Sequence, residues 1–227
     1  MALSTLEVRW FLEGALADAG REVEGWFRAR PRPGGGRPPP LAWEPAPPAW
    51  RQDRYVLVAG QDDMGIKWRE GALQIKGREA ALGYVAFAPG IAGLCERWVK
   101  WSYAGEAIER RFRALFHGAA EPGIVVVEKR RLQRLLALDA AGDATEVGSG
   151  EPRPRGVNVE LAQIRLAGAA AKGFWSLAFE AFPADASMAA PFSGIVARFV
   201  EGCPARPLAA ERSMAYPRWL LELDPPG

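Results

Sequence analysis

The residues with the clearest chemical potential are basic side chains on a predicted β-hairpin. Two alternating segments flank the turn at Glu70–Ala72 in the sequence GIKWREGALQIKGR, a pattern typical of two antiparallel strands. Side chains of a strand alternate between its two faces, so cations two residues apart share a face. These cations are Lys67 and Arg69 on the first strand and Lys76 and Arg78 on the second. If the apolar faces pair, four cations crowd one side of the hairpin, where they are suited to charge-assisted hydrogen bonds with anions.

Charged side chains also alternate with large apolar ones along the other predicted strands. The charged positions are Glu7, Arg9, Lys100, Glu128, Arg130, Glu160 and Glu180. Two arrangements of a closed sheet fit this pattern. In one, apolar residues fill the barrel and the charges face water; in the other, the charges line the interior and helices cover the apolar outside. Periodicity alone does not decide between them.

The elements that must position these charges are mostly strands. Besides the hairpin, strands are predicted at residues 6–11, 96–103, 124–138, 157–166 and 175–182, with a short apolar run at 55–58. Helices are predicted at residues 16–28, 104–116 and 192–201. Strands outnumber helices, and their spacing favours an α+β fold in which an antiparallel, tunnel-like β-barrel carries flanking helices.

The chain shows no break in composition, so we expect one domain over residues 1–227. Its least regular stretch, at about residues 30–50, reads RPRPGGGRPPPLAWEPAPPAW. Proline lacks a backbone donor and glycine lacks conformational restraint, so we predict a surface loop there. Residues 139–156 are rich in glycine, proline and charge and are predicted to form a second loop.

The overall charge does not point to a nucleic acid or a membrane as a partner. Lys and Arg total 29 against 27 for Asp and Glu, which gives a net charge of +2. Cys95 and Cys203 lack the spacing of a metal site and are predicted to be reduced thiols. Glu7 and Arg9 interrupt the apolar stretch that a signal peptide needs, and no apolar run reaches the roughly 20 residues that span a bilayer. We therefore expect a cytoplasmic protein; its oligomeric state has no signal in the sequence.

Familiar catalytic motifs are missing from the chain. It contains no P-loop, no GxGxxG after a strand, no GxSxG and no HExxH. The single histidine, His117, stands near the end of a predicted helix without an obvious partner, so we interpret it as a capping or surface residue rather than a general base. Any chemistry must therefore come from the charges on the strands.

The order of the elements resembles the CYTH superfamily, the triphosphate-tunnel proteins that include thiamine triphosphatase and class IV adenylate cyclase. The opening strand LEVRWFLEG stands where that family has its ExExK motif, and the hairpin resembles the family's paired basic strands. The later segments VNVEL and LAFEAF resemble its acidic strands. Near the end, SMAYPRWLLEL, with Ser213, Tyr216 and Leu220, is similar to the family's Ser-x-Tyr-x-x-Leu-Leu region. Together these segments span nearly the whole chain.

The resemblance implies a phosphate-rich ligand, such as a triphosphate or a polyphosphate, held by cations in a tunnel. The implied phosphate-binding residues are Arg9, Lys67, Arg69, Lys76, Arg78, Lys100 and Arg130. The implied ligands of Mg²⁺ or Mn²⁺ are Glu7, Glu160 and Glu180. In such a site the metal neutralises developing charge and orients water for in-line attack.

The first strand departs from the family's motif. Where the family has Glu-x-Glu-x-Lys, this chain has Arg9 in place of the second Glu and Phe11 in place of the Lys. A cation at a metal-ligand position repels the metal, so we expect hydrolysis to be weak or lost, and no catalytic residue is assigned. Two alternatives remain: a binding module of the same fold without catalysis, and a β-rich interaction protein whose apolar core fills the barrel. The second requires Trp68, Leu73 and Ile75 to point inward.

Overall fold

The alternating segments of the chain form long antiparallel strands that close into a barrel. The computed structural model describes residues 3–13, 19–34, 41–108, 110, 123–167, 173–203 and 208–223. The strands are β1 (Leu3–Glu13), β2 (Arg51–Val56), β3 (Met64–Arg69), β4 (Ala72–Ala88), β5 (Ile91–Ala104), β6 (Ile124–Leu138), β7 (Ala144–Val147), β8 (Gly156–Leu166) and β9 (Gly173–Phe182). The helices are α1 (Ala19–Ala29), α2 (Ala189–Val200) and α3 (Tyr216–Leu223), with short 3₁₀ turns at Ala186–Met188 and Ala210–Arg212.

Eight of these strands pair in the order β2-β3-β4-β5-β1-β9-β8-β6, and β6 pairs back onto β2 to close the barrel. Every pairing is antiparallel. Strand β6 is 15 residues long, so the edge that carries β2 also carries β7 further along. The predicted α+β class, an antiparallel barrel with flanking helices, is confirmed.

The outer face of the barrel is apolar where helices cover it. Trp10 of β1 contacts Phe179 of β9 edge to face, with ring centroids 6.4 Å apart. Phe179 contacts Phe199 of α2 at 5.4 Å, and Phe199 contacts Phe27 of α1 at 5.5 Å. These rings belong to one buried cluster that joins both helices to the barrel. The barrel therefore has the second of the two arrangements, with helices over an apolar outside and charges within.

One end of the barrel is filled by a second apolar cluster that α3 completes. Phe11 of β1 stacks on Trp219 of α3, with ring centroids 4.2 Å apart and the planes 4° from parallel. Phe174 of β9 meets the same indole edge to face at 5.2 Å. Phe11, which stands where the CYTH resemblance expects a lysine, is thus a packing residue between the first strand and the last described helix.

Several element boundaries differ from the predictions, each for a local reason. The hairpin turn consists of Glu70 and Gly71 alone, with φ of 49° and 76°, because Ala72 already pairs with Arg69. Positive φ at both positions is the geometry of a type I′ turn, which matches the twist of the strands. Strand β4 continues far past Arg78, with register shifts that disturb its alternation. The predicted loop at 139–156 contains the short strand β7.

Parts of other predicted segments lie outside the described residues. The predicted helix at 104–116 is helical at 106–108 and 110, and the rest of it is not described; His117 also lies outside the described residues. Within 30–34 and 41–50, the only regular pairing is an isolated bridge between Glu44 and Arg131. Among the helices that the structure describes, none combines the length and apolar character needed to cross a membrane.

Two glycines differ in the space that surrounds them for an added methyl group. A Cβ at Gly156, at the start of β8, would collide with the backbone oxygen of Leu136. We expect Gly156→Ala to destabilise the protein by about 1–3 kcal/mol, since backbone must move to admit the methyl group. A Cβ at Gly25, in α1, would meet no other atom within 4 Å. Gly25→Ala should stabilise by about 0.5–1 kcal/mol, because glycine loses more backbone entropy in a helix.

Urea unfolding of both variants, followed by circular dichroism, measures the two shifts against the wild type. Equal midpoints for Gly156→Ala and the wild type would contradict the close packing of β8 against β6.

Candidate functional site

A cavity of about 190 Å³ occupies the barrel interior, and all eight barrel strands and α3 contribute to its wall. Among its lining side chains are eight cations: Arg9, Arg51, Lys67, Arg69, Lys76, Lys100, Lys129 and Arg131. Four carboxylates line it as well: Glu7, Glu96, Glu160 and Glu180. The enclosed space thus has a surplus of positive charge, although the chain as a whole is nearly neutral.

Most of the cations singled out in the sequence line this cavity. They are Arg9, Lys67, Arg69, Lys76 and Lys100. Arg78 is not part of the lining and donates to Glu96 Oε1 at 3.0 Å and to Asp62 Oδ1 at 2.9 Å. Arg130 lies on the outer face, where its guanidinium stacks between Trp43 and Trp50 at 5.3 and 4.8 Å from their ring centroids.

Three lining cations were not among the sequence candidates. Lys129 and Arg131 flank Arg130 in a run of three basic residues, so composition could not reveal which of them faces inward. The pairing of Arg51 with Lys129 identifies the inward positions of both strands. Arg51 itself follows directly after the proline-rich stretch, where no strand periodicity had yet begun.

Glu160 is shared by three cations in the buried wall. Its carboxylate accepts from Lys129 Nζ at 2.7 Å and from Arg9 Nη1 at 3.2 Å, and Arg131 Nη1 lies 3.5 Å away. Burial opposes the ionisation of Glu160, but the three cations outweigh it and hold its pKa well below the usual range. Glu160 is therefore an internal counter-ion, ionised at every physiological pH.

Asp53 is shared in the same way by two cations. Arg51 Nε lies 3.0 Å from Oδ1, and Lys67 Nζ lies 3.2 Å from Oδ2. Burial acts to raise the pKa of Asp53, but Lys67 and Arg51 lower it overall. Asp53 and Glu160 are thus shared by five cations. Arg131 also lies 3.3 Å from Glu44 Oε2, so two of the five positive charges stay uncompensated by these three carboxylates.

The pKa values of the lysines respond to this environment, because a lysine can lose its proton where an arginine cannot. Burial lowers the pKa of Lys129 to about 7, against the opposing attraction of Glu160, and Arg9 lowers it further. Burial likewise lowers the pKa of Lys67 to about 8, against Asp53, with Arg69 adding to the effect. Each lysine is held in a position where an added negative charge would stabilise its ammonium form.

Aromatic rings support these cations without neutralising them. The Arg9 guanidinium lies 4.8 Å from the Tyr216 ring centroid, and Lys129 Nζ lies 5.4 Å from the same ring. Lys67 Nζ lies 5.4 Å from the ring of Tyr55. A ring face attracts a cation through its quadrupole and carries no net charge. The rings therefore leave the net charge of the cavity wall unchanged.

Next to this group of cations, β1 and β9 carry two more carboxylates. Glu7 and Glu180 face each other across β1 and β9, and Lys76 Nζ donates to Glu7 and lies 3.6 Å from Glu180 Oε1. Burial raises the pKa of Glu7 despite the attraction of Lys76. Burial also opposes the charge of Lys76, but Glu7 and Glu180 outweigh it and raise the pKa of the lysine. Lys100 makes no ion pair with any described residue, and burial lowers its pKa.

The three carboxylates that the resemblance implies as metal ligands do not come together as one group. Glu7 and Glu180 share Lys76, whereas Glu160 is bonded by Lys129 and by guanidinium groups. Over the described ranges, no three His, Cys, Asp or Glu side chains are arranged to hold a metal ion.

Trp68, Leu73 and Ile75 do not point into the barrel. Trp68 pairs with Leu73 across β3 and β4, while Lys67 pairs with Gln74 on the other, cavity-lining face. The interior is therefore not filled in the way that the interaction-protein alternative requires.

Comparisons with known proteins add no family assignment: no protein-family model matches the chain, and no curated protein matches it significantly. The fold and the cavity define the chain only as a closed antiparallel β-barrel with a basic interior.

The sharing of Glu160 leads to a prediction about stability. Glu160→Gln leaves Lys129, Arg9 and Arg131 without a buried counter-ion, and we expect a loss of about 3 kcal/mol in the free energy of unfolding. Lys129→Met removes one surplus cation while two stay on Glu160, so its effect should lie within about 1 kcal/mol of zero or be stabilising.

Urea unfolding at pH 6 compares the two variants with the wild type. At this pH, which is below the pKa values of Lys129 and Lys67, both lysines are protonated. A larger loss for Lys129→Met than for Glu160→Gln would show that cations are not in excess.

Proposed function

We propose that the protein binds a phosphate-rich small anion, a triphosphate or a polyphosphate, in the basic cavity of the barrel. Metal-dependent phosphohydrolase activity is weak or lost. The observation that supports this proposal most strongly is the charge of the cavity wall, where eight cations face four carboxylates in an enclosed space.

Enclosure makes each cation a stronger partner for an anion than it is at the protein surface. In a medium less polar than water the same pair of charges interacts more strongly, and hydrogen bonds to charged groups are correspondingly stronger. Guanidinium groups such as those of Arg9 and Arg131 can hold two phosphate oxygens at once. A ligand with several negative charges offers a partner to each surplus cation of the wall.

Unpaired polar atoms also favour a polar ligand. Gln74 Oε1 and Arg131 Nε are buried without a hydrogen-bond partner among the described residues, and both side chains line the cavity. Lys100 lines the cavity without an ion pair to any residue that the structure describes. Buried polar groups of this kind are costly unless they are satisfied. Phosphate oxygens would accept from Arg131, from Lys100 and from the amide of Gln74 after rotation of that group.

The CYTH resemblance supports the same proposal. The segments that carry it include Glu7 and Arg9 on β1, Glu160 on β8, Glu180 on β9 and Tyr216 on α3, and all five residues line this cavity. The resemblance also implies Mg²⁺ or Mn²⁺ held by Glu7, Glu160 and Glu180, but the altered first strand and the separation of these carboxylates disfavour it.

Weak or lost hydrolysis follows from the two departures in the first strand. Arg9 donates to Glu160 Oε1 and, at 3.0 Å, to Ser176 Oγ, so a guanidinium stands where a metal-binding carboxylate is expected. Phe11 stacks on Trp219 and does not line the cavity. A positively charged wall favours the bound anion but not the metal ion that would activate a water against it.

A small anion in a cytoplasmic setting fits the remaining observations. A cavity of about 190 Å³ suits a small molecule rather than a nucleic acid or a lipid surface. Neither Cys95 nor Cys203 forms a disulfide among the described residues, as is usual in a reducing compartment.

The proposal predicts a specific loss of binding from one lysine. Lys100→Met removes a cavity cation without breaking an ion pair to any residue in the described part of the chain, so stability should be unchanged. Affinity for tripolyphosphate should fall about tenfold or more. Arg165→Met, on the outer face where Arg165 stacks on Trp50 at 4.3 Å, is the matched control and should bind as the wild type does. Isothermal titration calorimetry measures the affinities, and phosphate release is assayed with Mg²⁺ and with Mn²⁺.

Failure of the wild type to bind tripolyphosphate would reject the proposal. Rapid phosphate release with either metal would show that the departures at Arg9 and Phe11 do not prevent catalysis.

The lowered pKa of Lys67, about 8, predicts a pH dependence of binding. The ammonium form is present below pH 8 and is lost above it, so the attraction for an anion weakens as pH rises. Relative to Lys67→Arg, which stays charged, the wild type should lose affinity for tripolyphosphate about tenfold between pH 7 and pH 9. Because the ligand's own titration is common to both proteins, the ratio of their affinities isolates Lys67. A ratio that stays constant over this range would contradict the assignment.

A further inference from the structure

A lysine ammonium stands between two carboxylates of the cavity wall. Glu7 on β1 and Glu180 on β9 are direct register partners, so their side chains project from adjacent strands into the same space. Lys76 lies on β4, which only β5 separates from β1. Its ammonium group donates to Glu7 Oε1 and lies 3.6 Å from Glu180 Oε1. Two facing carboxylates would repel each other, and the ammonium removes that repulsion.

The two other carboxylates of the cavity wall, Glu96 and Glu160, are also paired with cations. Glu96 accepts from Arg78 Nη1 at 3.0 Å. Glu160 is bonded by Lys129 and Arg9, and Arg131 lies within ion-pair distance. Mg²⁺ prefers six oxygen ligands and usually keeps several of its waters, with one or two free carboxylates as anchors. Here each candidate anchor has a positively charged partner, and the cavity as a whole has a surplus of positive charge that repels a divalent cation. The donor set therefore does not fit a resident divalent metal.

Building on the proposed binding of polyphosphate, we propose that the cavity takes its anion in the metal-free form, with Lys76 supplying the positive charge between Glu7 and Glu180. The ligand class is the uncomplexed triphosphate or polyphosphate rather than its magnesium complex. A magnesium complex carries less negative charge and brings a cation into a space that already has one. The free anion instead meets Lys100, Lys67 and the cations around Glu160 directly.

The first experiment titrates tripolyphosphate into the protein by calorimetry, once with EDTA and once with Mg²⁺ in several-fold excess over the ligand. We expect the apparent affinity to fall roughly tenfold or more in Mg²⁺, because little free ligand remains, and to return when EDTA is added. An affinity that is unchanged or higher in Mg²⁺ overturns the inference but leaves the proposed function standing. Absence of binding in both conditions rejects the proposed function and this inference with it.

The second experiment tests Lys76 with Mn²⁺ alone as the probe. Lys76→Met leaves Glu7 and Glu180 facing each other without a cation, so the variant should gain a calorimetrically measurable Mn²⁺ site that the wild type lacks. Lys100→Met, the matched control, removes a cavity cation that makes no ion pair with a described residue, and it should gain no Mn²⁺ site. Tight, stoichiometric binding of Mn²⁺ by the wild type overturns the inference.

A Lys76→Met protein that melts like the wild type but binds no Mn²⁺ overturns the role assigned to Lys76. If that variant does not fold, Lys76→Gln replaces it, since the amide keeps one hydrogen bond to Glu7. The titrations of the wild type are decisive in either case, because they require no variant.

Discussion

The interior of the barrel depends on a few carboxylates that several cations share. Glu160 on β8 is approached by Arg9 from β1 and by Lys129 and Arg131 from β6, so one side chain connects strands that are not all neighbours. Buried charges are tolerated only when they are paired and hydrogen-bonded. Without such shared counter-ions the surplus cations would repel one another across a space of about 190 Å³. The shared carboxylates offset part of this repulsion, and their small number leaves the interior positive.

The charged interior determines where the apolar residues and the helices of the barrel lie. Since the inward face is charged, the outward face carries the apolar residues, and helices have to cover them. Helices α1 and α2 do so through Phe27 and Phe199, which join the rings of β1 and β9. The end of the barrel near Phe11 is apolar within, and α3 fills it with Trp219. Tyr216 of the same helix turns back to the cavity and supports Arg9 and Lys129, so the packing of α3 also shapes the site.

Strand periodicity predicted the barrel and placed most of the charged residues that line its cavity on one face, but it could not determine which face is inside. That choice depends on contacts between distant segments, such as Phe179 with Phe199, which no local pattern records. In the run at 129–131 all three residues are basic, so only the register with β2 and β8 separates the inward pair from Arg130. Strand β4 was predicted too short, because register shifts that begin near Arg78 break the alternation of its residues. The counter-ion Asp53 was missed since β2 is short and follows a proline-rich stretch.

Lysine and arginine are distributed differently between the cavity and the outer face of the barrel. Only five of the 29 basic residues are lysines, and every lysine among the described residues, Lys67, Lys76, Lys100 and Lys129, lines the cavity. On the outer face the basic residues are arginines such as Arg130 and Arg165, whose planar groups stack on Trp50 and stay charged throughout. An ammonium is compact enough to stand between Glu7 and Glu180, and it can lose its proton where charge is in excess. With pKa values of about 7 for Lys129 and about 8 for Lys67, the barrel sheds part of its positive charge near neutral pH. If an anion binds in the cavity as proposed, the same lysines would regain their charge beside it, because a nearby negative charge raises the pKa of a lysine.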